Sequence, residues 1–297
     1  MFRGLLLFTS VFFFFANTAL ADTKFKVGQK YQNFIQLDNH SKNMQIPLPK
    51  GEWTVTAVDV KDPNSRGTIL IWVYLMNEIE KNLKGLIRFA YAYENYTSGW
   101  LAPHKFCGSN FNLFSKDNGS WNGTQSDCWR IRGITVTTKK EGGGRDSIEY
   151  MQNKGIALPV IAPIASYYRF NRSEFYIAEY IRNPEIYGIP KVENEGSGQT
   201  NDYAPDRIAE YPKKKAFIDK FVAWGKEWKK YVDLGFEGKL TAEMMGKSIV
   251  TKAEKPKSSG ATHGVEAKLK KLKDLVDKGL ITSEDAAAKR KEILGSM

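Results

Sequence analysis

Two apolar runs, TILIWVYLM (68–76) and LIRFAYAY (86–93), decide the fold predicted for this chain. The first run is apolar at nearly every position, which is typical of a strand buried on both faces. The second run alternates, and the residues on its apolar face are Ile87, Phe89, Tyr91 and Tyr93. The polar segment between them, NEIEKNLKG, is a connection, so the two runs predict an antiparallel β-hairpin.

Further strand patterns lie on both sides of this hairpin. WTVTAVDV (53–60) is short and β-branched, and WRIRGITVTT (129–138) has the same character. ASYYRF (165–170) and EFYIAEYIR (174–182) are joined by Asn-Arg-Ser and predict a second hairpin. The stretch EGGG is interpreted as a loop. A short helix then follows, with Asp146 as its cap, Glu149 completing a capping box and Gly155 ending it.

A long amphipathic helix is predicted for residues 213–235, opened by Pro212. Its apolar residues recur at helical spacing on one face: Phe217, Phe221, Trp224, Trp228 and Tyr231. A sheet with exposed faces needs such a cover, so the predicted fold class is α+β, an antiparallel sheet covered by this helix. The alternative is a helix that lies on a membrane surface or a partner, because lysines line its other sides: Lys213, Lys214, Lys215, Lys226, Lys229 and Lys230.

The N-terminal residues predict export. Arg3 precedes an apolar run from Gly4 to Ala16, and Ala19-Leu20-Ala21 forms a small-residue cleavage site. The run is shorter than the roughly 20 apolar residues of a spanning helix, so residues 1–21 are interpreted as a signal peptide. We therefore expect a periplasmic or secreted protein, not an integral membrane protein after cleavage, with a body domain over residues 22–240. The formal net charge of +11 suits an anionic neighbour but does not by itself specify one.

The chain has two cysteines, Cys107 and Cys128, and an exported chain is expected to pair them. Closing that loop would stabilise the fold by about 3 kcal/mol. The alternative makes Cys107 a catalytic nucleophile with His104 as its base.

The cysteines lie in or at the end of a long irregular segment, 94–128, which is rich in Asn, Gly, Ser and aromatic residues. Its aromatic residues, with the one that follows it, are Tyr96, Trp100, Phe106, Phe111, Phe114, Trp121 and Trp129. Exposed rings of this kind build binding surfaces, and buried ones would fill a core under the disulfide. The sequence leaves both interpretations open.

Catalytic signatures are sparse. The chain contains no P-loop, no Gly-x-Ser-x-Gly elbow and no His-Glu-x-x-His, and its three histidines are scattered. Glu179 shares a strand face with Phe175, Ile177 and Ile181 and is the one acid placed to act as an acid or base. An ion pair with Arg88 or Arg130 is the other interpretation. We expect no catalytic residue, metal or cofactor.

The C-terminal part predicts a linker and a helical hairpin. Residues 241–264 contain VTKAEKPKSSGATHG, which has the composition of a flexible linker. Residues 265–297 predict two short helices separated by Gly279, and the apolar residues expected to meet a partner are Val265, Leu269, Leu272, Val276, Leu280, Ile281, Ile293 and Leu294. Two such helices cannot bury enough apolar area to fold alone, so the hairpin must dock on something.

This hairpin, over residues 265–294, resembles the SHOCT domain, a short C-terminal domain of many bacterial proteins. The resemblance lies in KLKKLKDLVDKGLIT, an acidic pair and AKRKEIL. Where the family usually has a bulky apolar residue after the acidic pair, this chain has Ala286-Ala287-Ala288, which thins the second stripe. The resemblance implies a bacterial source and a role in oligomerisation without catalysis.

These observations favour a non-catalytic binding or assembly protein of the bacterial envelope, Gram-negative by expectation. Its hairpin would join it to a second copy or to another envelope protein, and nucleic acid is not an expected partner. Two alternatives remain at this point. One is a periplasmic enzyme with its site in the 94–128 loop, and the other binds a polyanion or membrane surface through the basic helix and linker.

Overall fold

The computed structural model describes residues 24–37, 43–61, 69–94, 113–117, 126–136, 142–170, 174–192 and 202–246. The strands are β1 (Lys30–Tyr31), β2 (Phe34–Gln36), β3 (Gln45–Pro47), β4 (Trp53–Lys61), β5 (Ile69–Ile79), β6 (Asn82–Glu94), β7 (Leu113–Asp117), β8 (Ser126–Thr135), β9 (Ile161–Phe170) and β10 (Phe175–Arg182). The α-helices are α1 (Gly142–Asn153), α2 (Pro212–Phe236) and α3 (Ala242–Gly246). Among the described residues, 3₁₀ turns cover Glu185–Tyr187 and Ile208–Glu210.

Eight strands form one antiparallel sheet in the order β1-β4-β5-β6-β10-β9-β8-β7. The sheet is made of two meanders, β4-β5-β6 and β7-β8-β9-β10, which join where β6 pairs with β10. The predicted antiparallel sheet and both predicted hairpins are confirmed, and the architecture is α+β. The C-terminal hairpin, residues 265–297, lies outside the described residues.

The β5–β6 hairpin is longer than its sequence pattern predicts. The predicted connection, NEIEKNLKG, is mostly strand, and only Glu80 and Lys81 form the turn. Both adopt positive φ, 48° and 61°. A two-residue turn of this conformation matches the right-handed twist of the flanking strands, but it normally uses Asn-Gly or Asp-Gly. Glu-Lys gives no such signal, which is why the turn was not predicted.

Helix α2 covers one face of the sheet, as predicted. Its aromatic side chains, Phe217, Phe221, Trp224, Trp228 and Tyr231, are all buried. The last four share one core with sheet residues such as Val73, Phe89 and Ile131. At Gly225 the helix comes so close to β8 and β9 that an added Cβ would lie 2.6 Å from Ile131 Cδ1. The Tyr167 hydroxyl donates a hydrogen bond of 2.6 Å to the Gly225 carbonyl at this contact.

Two of the lysines predicted to line the outer sides of α2 are engaged within the body. Lys214 is buried and its Nζ lies 2.5 Å from Asp202 Oδ2. Lys229 bridges Asp127 and Asp233 at 3.1 and 2.8 Å. The basic surface of the helix is therefore smaller than its sequence suggests.

The β2–β3 ribbon completes the cover on the α2 side, a role that the sequence pattern did not reveal. Its apolar residues are buried in the main core: Ile35, Leu37, Met44, Ile46 and Leu48. Tyr180 donates a hydrogen bond of 2.9 Å to the Pro47 carbonyl. Gln45 Oε1 accepts one of 2.7 Å from the Leu240 backbone N–H. Beyond it, Met245 of α3 is buried in the same core, so the predicted linker contacts the body at this residue.

Helix α1 begins earlier than predicted, so the predicted capping box at Asp146 and Glu149 is wrong, as is the loop assigned to the glycines. The helix starts at Gly142, and Asp146 lies inside it with its side chain about half exposed. The cap comes from β4, where Asp59 Oδ2 accepts a 3.1 Å hydrogen bond from the Gly143 N–H. Glycine is needed there because a Cβ would lie 2.7 Å from the Tyr74 ring. Gly155, at φ 69°, ends the helix as predicted.

The segment predicted to be irregular, 94–128, contains strand. Leu113–Asp117 forms the edge strand β7, and β8 begins at Ser126 rather than at residue 129. Strand β9 likewise begins at Ile161, before the predicted strand ASYYRF (165–170). Polar and proline residues near the strand ends obscured these boundaries in the sequence.

Candidate functional site

A row of polar side chains crosses the sheet on the face opposite α2. The register places one residue from each of five neighbouring strands in line: Tyr74, Arg88, Glu179, Ser166 and Arg130. Arg132 lies two residues after Arg130 on β8 and so faces the same side. The side chains of six residues with hydrogen-bonding groups therefore converge on one face.

Apolar clusters lie on both sides of this row. On one side, α1 packs on the sheet through Ile148 and Met151, which contact the cluster of Met76, Leu83, Leu86, Ile164 and Ile181. On the other side lies the cluster of Ala90, Ala92, Cys128, Tyr168, Phe170, Phe175 and Ile177. Half-buried Trp72 and Leu70 pack against the second cluster. The row is thus a polar strip between two apolar surfaces.

Glu179 is the central acceptor of the strip. It is only 2% exposed. Its Oε2 accepts a hydrogen bond from Arg88 Nε within an ion pair. Its Oε1 accepts hydrogen bonds from Ser166 Oγ at 2.9 Å and from the Tyr168 hydroxyl at 3.1 Å. Arg88 is therefore the partner of this carboxylate, as one of the two sequence interpretations held.

The protonation of Glu179 follows from these contacts. Burial by itself would raise the pKa of the carboxyl group, but the Arg88 charge and the hydrogen bonds from Arg88 and Ser166 outweigh it. The pKa of Glu179 consequently lies below its ordinary value. A carboxylate held ionised, with its oxygens engaged by three donors, acts as an anchor for its neighbours.

Two tyrosines, Tyr74 in the strip and Tyr168 beside it, stay protonated. Burial raises the pKa of both Tyr74 and Tyr168 to about 12, so each hydroxyl can donate at neutral pH. Tyr168 accepts a 3.1 Å hydrogen bond from Arg130 Nη2 and donates its own to Glu179. The Arg130 guanidinium carbon also lies 5.3 Å from the centre of the Tyr168 ring, a cation–π contact. Tyr168 thus fixes the position of Arg130.

Arg130 and Arg132 retain hydrogen-bonding capacity. Arg130 is 8% exposed, and in the described part of the chain the Nε atoms of Arg130 and Arg132 are buried without a hydrogen-bond partner. Burial, together with the nearby charge of Arg130, lowers the pKa of Arg132. The strip therefore combines three guanidinium groups with a single carboxylate, and it is a buried, donor-rich and positively charged environment.

The other residues predicted from the sequence are only partly placed. Cys128 is buried in β8. Its predicted partner Cys107, His104 and the eight partner-binding residues of the hairpin all lie outside the described residues, so these stay predictions. Of the aromatic residues, Trp129 is buried in the main core and Phe114 packs on it, while the other five are not described.

Sequence reasoning missed Arg132, Ser166, Tyr74 and Tyr168. One signal was present in WRIRG, where two arginines stand two residues apart on a predicted strand and so share a face. The residues opposite them follow only from the strand register. No such local pattern marks Ser166 or Tyr74.

Two features are absent from the described residues. They contain no group of three or more His, Cys, Asp or Glu side chains placed to hold a metal ion. None of the helices among them has the length and apolar character required to cross a membrane.

Comparison with known proteins leaves the family open. No family model matches the chain. No curated protein matches it either. Among solved structures it is similar to the crystal structure of a possible transcriptional regulator, YydK, from Bacillus subtilis subsp. subtilis str. 168. The identity is 10%, the match covers 52% of this chain and 72% of that chain, and the TM-score is 0.24, which supports no argument about fold or function.

Proposed function

We propose that this chain is an exported bacterial envelope protein of the binding or assembly class. In this proposal the body is a rigid platform and the C-terminal hairpin, residues 265–297, joins it to a second copy. The N-terminal segment, residues 1–21, supports export, since it has the three parts of a signal peptide.

The observation that carries the proposal is that the body covers the α2 side of its sheet with its own elements. Helix α2, the β2–β3 ribbon and Met245 of α3 all contribute to one core. Within the described residues, this core is formed by the body's own elements. A helical pair of about 30 residues is too small to offset its own ordering entropy, so its stripe needs a surface elsewhere.

The contacts of Glu179 also support a non-catalytic role for the body. This residue was the strongest acid–base candidate in the sequence, and it is tied to Arg88, Ser166 and Tyr168. To accept a proton it would have to give up a buried ion pair, which is strongly unfavourable.

The test is the solution mass of the mature full chain, measured by light scattering. We expect an oligomer for the wild type and a monomer for Leu272→Asp, because a carboxylate on the predicted stripe would have to be buried without a partner. Lys271→Asp is the matched control, since it adds the same group one position off the stripe and should stay oligomeric. Removal of residues 250–297 should reproduce the effect of Leu272→Asp.

Equal masses for the wild type, Leu272→Asp and the truncated chain would overturn self-association through the hairpin. If all three are monomers, the hairpin has no second copy to bind and docking on another envelope protein becomes the hypothesis to pursue. If all three are equal oligomers, the body itself forms the interface.

A further inference from the structure

We propose that Arg88, Arg130 and Arg132 form a binding site for one small anionic group, a carboxylate or a phosphate, on the sheet face opposite α2. The site is made of strand residues of the body. It is independent of the hairpin and of the oligomeric state, so either proposal can fail without the other.

Two arginine side chains of the strip have donors that are not hydrogen-bonded within the described part of the chain. The Nε atoms of Arg130 and Arg132 are buried and have no hydrogen-bond partner among the described residues. At least nine in ten buried polar groups in folded proteins are hydrogen-bonded, and leaving one unpaired costs about 1–3 kcal/mol, more when it is charged. Two such donors two residues apart on one strand therefore require an acceptor that the described residues do not supply, and the proposal assigns that acceptor to a ligand.

The excess of positive charge in the strip also favours an anion. Glu179 is the carboxylate of the strip, and Arg88, Ser166 and Tyr168 already engage its oxygens. In the described part of the chain no carboxylate forms a salt bridge with Arg130 or Arg132. Water could satisfy a donor, but it would add no negative charge to a strip in which three guanidinium groups share one carboxylate. An anion would satisfy the donors and the charges together.

The donor type gives the class of ligand. Guanidinium groups present a planar fork of N–H donors that matches the oxygens of a carboxylate or a phosphate, and they bind such groups with two parallel hydrogen bonds. Alternate residues on a strand are about 7 Å apart, so two forks on β8 can approach one anion from neighbouring positions. The same excess of positive charge disfavours a metal cation.

Two of the arginine side chains are already held in position by their neighbours. Arg130 is held by its hydrogen bond and ring contact with Tyr168, and Tyr168 is held by Glu179. Arg88 is held by the same carboxylate. Two of the three guanidinium groups are therefore fixed before any ligand arrives, which reduces the entropy lost on binding.

The experiment titrates the full mature chain with sodium phosphate and with sodium acetate, each compared with sodium chloride at the same ionic strength and at pH 7. Isothermal titration calorimetry gives the Kd, and thermal unfolding gives the shift in Tm. We expect saturable binding of at least one of the two anions and a rise in Tm beyond that in chloride. Binding of phosphate alone assigns a phosphate ligand, and binding of acetate alone assigns a carboxylate.

Substitutions of single arginines test whether the anion binds at this site. Arg132→Gln should weaken it at least tenfold. Arg145→Gln should leave it unchanged, because Arg145 is an exposed arginine of α1 with 53% of its side chain accessible. Arg132→Lys keeps the charge and removes the fork, so it should fold normally and still bind at least fivefold more weakly.

The proposal is overturned if neither anion binds more tightly than chloride, or if Arg132→Gln and Arg132→Lys bind as well as the wild type. NMR of the arginine Nε–H groups on addition of the tighter anion provides a readout that does not depend on a variant. The Arg130 and Arg132 signals should shift, and unchanged signals would contradict direct contact.

Discussion

The two faces of the eight-stranded sheet are buried by different chemistry. On the α2 side, stacked aromatic rings such as Trp224 and Trp228, with centroids 5.3 Å apart, lie over an apolar sheet surface. On the opposite side, apolar clusters flank a polar strip that centres on Glu179. The first face depends on buried area, which has no preferred direction, and the second depends on directional contacts.

The aromatic face therefore contributes mainly stability, and the polar strip contributes mainly the correct pairing of the strands. An apolar face tolerates small shifts of its packing, but the strip requires Glu179 of β10 to lie opposite Arg88 of β6 and Ser166 of β9. A slip of one residue in either pair would turn the carboxylate toward the aromatic core. The polar strip therefore fixes the register in which the aromatic face is assembled.

The largest effect should come from the aromatic face. Trp228 is 2% exposed, and we expect Trp228→Ala to lower the free energy of unfolding by about 3–5 kcal/mol, because a large cavity remains beneath α2. Denaturant unfolding followed by circular dichroism measures this. Trp72→Ala is the matched control on the opposite face, where the ring is half-buried, and we expect a loss of about 1–2 kcal/mol. Equal losses would show that the two faces bury tryptophan equally well.

The next effect concerns the strip. Glu179→Gln should destabilise the protein by about 3 kcal/mol at pH 7, because it leaves Arg88 buried without its counter-ion. Glu149→Gln, at an exposed carboxylate, should change stability by less than about 0.5 kcal/mol. The double variant Arg88→Met with Glu179→Leu should recover part of the loss, since it removes both charges but leaves the Ser166 and Tyr168 hydroxyls without their acceptor. A double variant as unstable as Glu179→Gln would contradict this account.

Glu179 should also make the free energy of unfolding depend on pH. The pKa of Glu179 is lower in the folded state, so its contribution is fully present above its unfolded value of about 4.3 and is lost as pH falls through the folded pKa. The stability difference between wild type and Glu179→Gln should therefore be constant from pH 6 to 8 and shrink at acid pH. Urea unfolding at several pH values measures it. A difference that instead grew below pH 4 would contradict the lowered pKa.

The smallest effect lies at the tip of the β5–β6 hairpin, outside both faces. Lys81 adopts φ 61°, a conformation that costs a non-glycine residue roughly 1 kcal/mol. Lys81→Gly should therefore raise the free energy of unfolding by about 0.5–1 kcal/mol. Lys226→Gly, in the exposed part of α2, is the opposite control and should lose about 1 kcal/mol. A destabilised Lys81→Gly would show that the turn is not strained.

Periodicity predicted the aromatic face better than the polar one. The spacing of Phe217 to Tyr231 and the alternation of Ile87, Phe89 and Tyr91 each follow from one segment, and the structure confirms both as core. Arg88 could be proposed for Glu179 because both stood on predicted strands. In contrast, the start of α1 depends on Asp59, 84 residues away from the Gly143 it caps, and a local pattern cannot predict it. Arg132 gains its importance only from the buried neighbours around it.

The position of the Arg88–Glu179 pair has a consequence for how the chain folds. Each meander pairs mainly strands that are neighbours in sequence, whereas the seam between them joins residues 91 positions apart. Contacts between distant positions require a large loop-closure entropy and form slowly, so we expect the meanders to assemble first and the seam to close last. We expect the Arg88–Glu179 contact to form only once the seam has closed, so that it stabilises the native state and not the transition state. Its loss should therefore speed unfolding while leaving the refolding rate nearly unchanged.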